Sequence, residues 1–263
     1  MSDRPPVITL LTDFGDRDAY VGVMKGVILG RAPDARIVDL THRVAPQNVS
    51  GAAYLLETAI PWFPPETIHV AVVDPTVGTD RVIVAVRTAR GVFLAPDNGL
   101  LTPVLEAGDL RESVRVVGSE TASATFHGRD VFAPSAARIA TGGALSDLGP
   151  PMEPAVTIPD YRAGRDEFGA VVGRVIHVDR FGNAISTIRE SDVPDRVRTQ
   201  VSARGRLLGP AERTYADVAP GAALALFGSA GHLEIAVRDG SAAETLGLRP
   251  GDPVVVTEKE THS

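Results

Sequence analysis

Two aspartates stand directly behind runs of β-forming residues, Asp13 after Val7 to Leu11 and Asp74 after Thr67 to Val73. If those runs are parallel strands, both carboxylates fall at carboxyl ends, where side chains leave the packed layer and helix N-termini offer positive dipoles. Asp13 could accept hydrogen bonds from two vicinal hydroxyls, as an acidic residue does for a nucleotide ribose, or it could serve only as a turn or cap. Asp74 opens a loop of Pro75, Thr76, Val77, Gly78, Thr79 and Asp80 that ends at Arg81. A guanidinium placed there, at the start of the next strand, could return to Asp74 and hold it ionised, or could simply tidy the loop. His127 lies between Phe126 and Gly128, where an aromatic ring and a residue without a side chain would let a ligand approach closely.

A second group lies near the other end of the chain. Asp179, Phe181 and Asn183 fall within five residues. They offer a carboxylate for a cationic amine, a face for a planar ring and an amide for that ring's polar edge. Phe181-Gly182-Asn183 is equally good material for a hairpin turn. Gly228-Ser229-Ala230-Gly231 is a small-residue loop whose N–H groups could hold a carboxylate or merely turn the chain. Neither G-x-G-x-x-G at the first strand-to-helix turn nor G-x-x-x-x-G-K-[ST] is present, so the ordinary dinucleotide and triphosphate cradles are missing. There is no H-E-x-x-H, and the six His pair with no Asp or Glu at ligand spacing on one element, so no metal is expected.

Two kinds of element must position these groups. Strand, helix, strand, helix, strand is the pattern from Val7 to Val73, with helices expected over Tyr20 to Leu29 and Val49 to Ala59 and a middle strand over Arg36 to Leu40. That alternation predicts a mostly parallel sheet flanked by helices. Val82 to Val86 and Val92 to Ala95 add two strands, and Asp130 to Thr141 reads as a helix with a face of Ala133, Ala136, Ala137 and Ala140 small enough to pack closely. Composition shifts at the Gly-Pro-Pro run that begins at Gly149. We expect an α/β domain over 1–158, a linker over 159–168, and a smaller antiparallel β domain or barrel over 169–263, built from short strands between Gly-rich turns.

At 263 residues with 44% hydrophobic and 22% charged side chains, the chain can fill large cores and is not broadly disordered. No Cys means no disulfide, no thiolate metal site and no cysteine nucleophile, which fits a reducing compartment. A net charge of -7 argues against a nucleic-acid partner, because displacing phosphate counterions needs clustered cations. No segment reaches the apolar length of a membrane span, and the N-terminal run lacks the form of a signal peptide. The expected setting is the cytoplasm.

Six segments together resemble one family. Thr12-Asp13-Phe14-Gly15, Asp39-Leu40-Thr41-His42, Val73-Asp74-Pro75-Thr76-Val77-Gly78, Ala95-Pro96-Asp97-Asn98-Gly99-Leu100-Leu101-Thr102, Phe126-His127-Gly128-Arg129-Asp130 and Asp179-Arg180-Phe181-Gly182-Asn183 run in order as in the S-adenosyl-L-methionine hydroxide adenosyltransferases, relatives of the fluorinase and chlorinase. The resemblance implies cleavage of S-adenosylmethionine by water into adenosine and methionine. It also implies a homotrimer with active sites at subunit interfaces, and a small-molecule substrate with no separate cofactor. The family's catalytic Asp, Arg and His match Asp74, Arg81 and His127, and its ribose-binding carboxylate matches Asp13. Adenine and methionine contacts match Asp179, Phe181, Asn183, Tyr215 and Ser229, with Tyr20 at a methionine contact.

The chain also departs from the fluorinase. His127 and Gly128 stand where that enzyme has an aromatic and a halide-holding serine, Asp74 replaces its strand-end tyrosine, and Ala230 replaces an arginine near the methionine carboxylate. A carboxylate repels halide but can orient water. Three rivals to the hydrolase remain at this point: a halide-using adenosyltransferase, a noncatalytic nucleoside-binding protein, and a metal-dependent hydrolase built on Asp13, Asp74 and His127.

Overall fold

A computed structural model describes residues 4–193 and 199–258. The chain divides into two compact units, Met1–Ile158 and Pro159–Ser263.

In the first unit the strands are β1 (Val7–Thr12), β2 (Arg36–Thr41), β3 (Ile68–Val72), β4 (Ile83–Thr88), β5 (Gly91–Pro96) and β6 (Glu112–Arg115). They form one sheet in the order β2-β1-β3-β5-β4-β6. The first four are parallel, while β4 runs against both β5 and β6. The helices are α1 (Tyr20–Arg31), α2 (Val49–Ala59), α3 (Thr102–Glu106) and α4 (Ala133–Ala140). Strand residues alternate between two cores because side chains in a strand have a period of two. Val70 and Val72 point into a core with Met24 and Ile28 of α1 and Ala133, Ala136 and Ala137 of α4. Ala71 and Val73 point into another with Ala52 and Leu56 of α2 and Val104 of α3. Helices on both faces explain why β3 is buried along its whole length and reads as apolar apart from His69.

The expected helix over Asp130 to Thr141 has a more particular start. Gly128–Phe132 is a wider π turn, and the α-helix proper begins at Ala133. Pro134 has no N–H to donate, so regular hydrogen bonding cannot run unbroken through this point. The sequence did not announce α3 or β6. Pro103 sits in the first turn of α3, a position a proline tolerates, and β6 is an edge strand made of Glu112, Ser113, Val114 and Arg115.

The second unit holds β7 (Gly164–Arg165), β8 (Val171–Val178), β9 (Ala184–Arg189), β10 (Thr199–Ala203), β11 (Arg206–Gly209), β12 (Ala211–Glu212), β13 (Ala223–Phe227), β14 (His232–Val237), a short α5 (Ala242–Thr245) and β15 (Pro253–Glu258). The sheet order is β11-β10-β15-β8-β9-β14-β13-β12, with β7 on β8, so part of 159–168 is strand. All pairs are antiparallel except β12 with β13. The sheet curls until β11 lies near β13, nearly closing around Val175, Ile188, Leu233, Ile235 and Val254.

The fully buried Phe132 joins the π turn to the core shared by α1, α4 and the sheet. Phe132→Ala should lower unfolding stability by about 3–5 kcal/mol, the usual penalty for emptying an aromatic site. Denaturant unfolding followed by circular dichroism checks this, and a loss under about 1 kcal/mol would contradict the packing described.

Candidate active site

Asp13 and Asp74 leave the sheet at the carboxyl ends of β1 and β3, neighbouring parallel strands in which Thr12 pairs with Val72. The Asp74 loop is tied down from several directions. Asn98, from the Asp97-Asn98-Gly99 turn, donates from its amide to the Val73 carbonyl at 2.9 Å. One Asp74 oxygen accepts from the Thr76 backbone N–H and hydroxyl, both at 3.3 Å. Gly78, with φ of +83°, brings the loop so close to Ala124 that a Cβ would lie 2.8 Å from that residue's carbonyl oxygen.

Arg81, two residues before β4, folds back as anticipated. Its Nη2 pairs with the second Asp74 oxygen. The side chains are only 6% and 5% exposed, so this is an ion pair largely removed from water. The same Nη2 lies 3.1 Å from His127 Nδ1. A guanidinium can only donate, so Nδ1 must accept, and the neutral ring carries its proton on Nε2. Burial, and then the Arg81 charge, lower the His127 pKa, against smaller opposing effects of Asp74 and Asp130. Burial also lowers Arg81 from its ordinary value, with Asp74 opposing. Arg81 Nε is buried without a partner among the described residues. The structure thus brings Asp74, Arg81 and His127 into one hydrogen-bonded cluster.

Tyr20 opens α1 and packs its ring against Phe126 at 5.1 Å and Phe14 at 6.0 Å, edge-on and tilted. This cluster sits beside Gly128, where a Cβ would come within 3.1–3.2 Å of Met24 Sδ and both phenylalanine rings. Asp13 accepts from the Gln47 N–H at 2.9 Å through one oxygen. Its other oxygen has no partner among the described residues.

In the second unit Asp179, Phe181 and Asn183 form the hairpin turn between β8 and β9. Asp179 Oδ1 accepts from the Phe181 and Asn183 N–H groups at 2.9 and 2.8 Å, and Oδ2 from the Asn183 amide at 3.0 Å. The turn leaves Phe181 77% exposed. Tyr215 donates its hydroxyl to Glu234 Oε2 at 3.0 Å. Burial and the Glu234 charge push that phenol up to about 12. Burial also raises Glu234, with Asp179 adding its repulsion against the Tyr215 bond. Asp179, Tyr215 and Glu234 therefore share one electrostatic neighbourhood. Ser229 is exposed in the β13–β14 turn, where Gly228 and Gly231 close the loop with their own N–H groups. Glu234 is the residue that sequence reading overlooked. The available signal was a single charge inside the apolar run from Leu233 to Val237. Among the described residues, no group of three or more His, Asp or Glu is arranged to hold a metal ion.

Fold and site together define a two-unit protein: an α/β layer with an Asp–Arg–His cluster at the carboxyl edge of its sheet, followed by a nearly closed β unit. Residues 8–149 match the SAM hydroxide adenosyltransferase N-terminal domain and residues 173–255 the C-terminal domain, and the chain belongs to this family. It is 42% identical over 260 residues to an (R)-S-adenosyl-L-methionine hydrolase of Thermus thermophilus, covering 94% of this chain and 98% of that one. A Salinispora tropica protein of the same name is 38% identical over 96% of this chain and 98% of its own length. A Nocardia brasiliensis fluorinase is more distant, at 29% identity over 96% of this chain and 97% of its own. The crystal structure of an uncharacterized conserved protein from Thermotoga maritima superposes with a TM-score of 0.86 at 35% identity, covering 95% of this chain and all of that one.

The His127 tautomer yields a test. Its ring should titrate below the ordinary histidine value of about 6.5, and Arg81→Gln should move it upward by removing a cation and leaving Asp74 unopposed. Proton–nitrogen NMR of the ring, assigned by its loss in His127→Gln, reads the shift. Because the folded state prefers the neutral ring, stability from this group is fully present above about pH 6.5 and declines as pH falls toward the lower folded value. An unmoved titration in Arg81→Gln would remove the Arg81–His127 contact.

Proposed function

We propose that this protein hydrolyses S-adenosyl-L-methionine to adenosine and methionine by in-line attack of water at the ribose 5′ carbon. The observation that carries the reading is the division of labour in the Asp74–Arg81–His127 cluster. Methionine's sulfur leaves a sulfonium as a neutral thioether, so the leaving side needs no acid. The demand falls on water, whose pKa of about 15.7 makes it a weak nucleophile. A water between the two side chains can donate to Asp74 and accept from His127 Nε2–H, leaving a lone pair for carbon. With Nδ1 already accepting from Arg81 and Nε2 protonated, the imidazole has no site for another proton, and the acceptor is Asp74. The oxygen–carbon bond forms, the carbon–sulfur bond breaks with its electron pair passing to sulfur, and the water proton passes to Asp74 and then to solvent. As the water proton passes to Asp74 and the electron pair to sulfur, the carboxylate and sulfonium charges are both neutralised, so a water-poor site favours the transition state over the reactants.

Recognition follows from the remaining groups. The free oxygen of Asp13 takes the ribose diol, and Tyr20, packed on Phe14 and Phe126, meets the methionine. Asp179 takes the α-ammonium, Phe181 and Asn183 the adenine, and Tyr215 and Ser229 the methionine end. No cofactor takes part. In the homotrimer that the family resemblance implies, the α/β unit of one subunit and the β unit of the next supply the two sets. Among the described residues no helix is long and apolar enough to cross a membrane; the proposed setting is the cytoplasm, resting on the acidic, cysteine-free composition.

Turnover in oxygen-18 water should place the label in the 5′-hydroxyl of adenosine, read by mass spectrometry, while Asp74→Asn and Arg81→Ala should each lose at least about 100-fold in kcat. Unlabelled adenosine would refute attack at that carbon; 5′-chloroadenosine formed with added chloride would favour the halide reading. Sedimentation equilibrium should give the mass of three chains, and a monomer at working concentration would sink the shared-site arrangement.

A further inference from the structure

The Asp39-Leu40-Thr41-His42 segment at the end of β2 has no part in the mechanism above, yet its His42, backed by Asp39, reaches the turn that carries Asp13. His42, with a side chain 11% exposed, lies with Nδ1 2.9 Å from the hydroxyl of the fully buried Thr12. That hydroxyl already accepts from the Phe14 N–H at 3.3 Å, and no other acceptor for its proton is present among the described residues. It therefore donates to Nδ1, which fixes the neutral ring with its proton on Nε2. Nε2 lies 3.1 Å from Asp39 Oδ1, close to the carboxylate but off the ideal hydrogen-bond line, and the other Asp39 oxygen accepts from Lys25 at 2.6 Å. The opposite tautomer would set a bare nitrogen against a carboxylate and orphan the Thr12 proton. The His42 carbonyl also accepts from the Gly15 N–H at 2.7 Å, and Val44 donates to the Thr12 carbonyl at 3.4 Å. Side chain and backbone of one residue thus grip both ends of the Thr12–Gly15 turn.

We propose that His42 is a positioning residue for nucleoside binding, which locks the turn through Thr12 and Gly15 so that the free oxygen of Asp13 is presented to the ribose diol. This rests on the ribose role assigned to Asp13 above. The chain of contacts runs from Lys25 through Asp39, His42 and Thr12 to the Phe14 N–H, and none of its members need touch substrate.

The test measures adenosine affinity by calorimetry together with kcat and KM for S-adenosylmethionine. His42→Ala and the shape-conserving Thr12→Val should each weaken adenosine binding and raise KM about tenfold, with kcat within about twofold. His42→Asn, whose Oδ1 can stand where Nδ1 accepts, should recover most of the loss. The double variant should be little worse than either single one, since both cut the same link. Unchanged affinity in both single variants, an Asn variant as weak as Ala, penalties that multiply, or a fall in kcat at constant KM would each overturn the inference. If His42→Ala fails to fold, Thr12→Val and His42→Asn carry the comparison. Wild-type protein that neither binds adenosine nor consumes S-adenosylmethionine would overturn the proposed function, and this assignment with it.

Discussion

The Asp74–Arg81 ion pair is the interaction on which the site depends. Two charges almost wholly removed from water are tolerable only if each answers the other and most of the remaining lone pairs and protons find partners. The Thr76 donors take up the spare Asp74 oxygen and His127 Nδ1 accepts a hydrogen bond from the guanidinium, which leaves Arg81 Nε without a partner among the described residues. The pair therefore does more than fix a loop. By giving His127 Nδ1 a donor it selects the tautomer, because a guanidinium cannot accept a hydrogen bond, and under the proposed function that tautomer leaves Asp74 as the proton acceptor.

The sheet makes that pair possible. Parallel strands β1 and β3 release Asp13 and Asp74 at the same edge, and cores on both faces hold the strand ends against displacement. The loops beyond that edge are then locked by specific hydrogen bonds: Asn98 onto Val73, Gln47 onto Asp13, His42 onto Gly15. Gln47 adopts φ of +65°, an uncommon conformation for a residue with a side chain, and from it aims its N–H at the Asp13 carboxylate. Rigidity at the sheet and precision in the loops are separate contributions, and orienting a substrate requires both.

Much of this was legible in the sequence. The β-rich runs ending at Thr12 and Val73 were readable because a doubly covered parallel strand is mostly apolar, with only Thr9, Thr12 and His69 as buried polar exceptions in β1 and β3, and the acid behind each run was readable because the strand end faces solvent. The return of Arg81 to Asp74 followed from a short Pro- and Gly-bearing loop. The π turn at Gly128–Phe132 was not legible, since the same residues would suit an ordinary first helical turn. The edge strand β6 was hidden by its polar residues. Glu234 escaped notice because a charge in a strand normally faces water; here it meets Tyr215 through a pairing that only the folded β unit creates. The roles of Thr12 and His42 were beyond the sequence too, because a tautomer depends on what stands 3 Å from each ring nitrogen.

The preference for water over halide can be argued from the same contacts. A halide ion would have to give up its hydration beside the Asp74 carboxylate, with the nearby guanidinium already engaged by that carboxylate and by His127. It would also lack a hydroxyl donor at position 128, where the resemblance places a serine in the fluorinase. Serine does not fit there without displacement. Even a Cβ on Gly128 presses on Met24 Sδ, Phe14 and Phe126, and those rings are themselves packed on Tyr20. Converting the site to halide use would thus call for removing the carboxylate and shifting Met24, Phe14 and Phe126 by a few tenths of an ångström. Either change alone leaves the anion repelled or the cluster overpacked. Water, the nucleophile of the proposed function, asks for neither, since it is neutral and can donate to Asp74 and accept from His127.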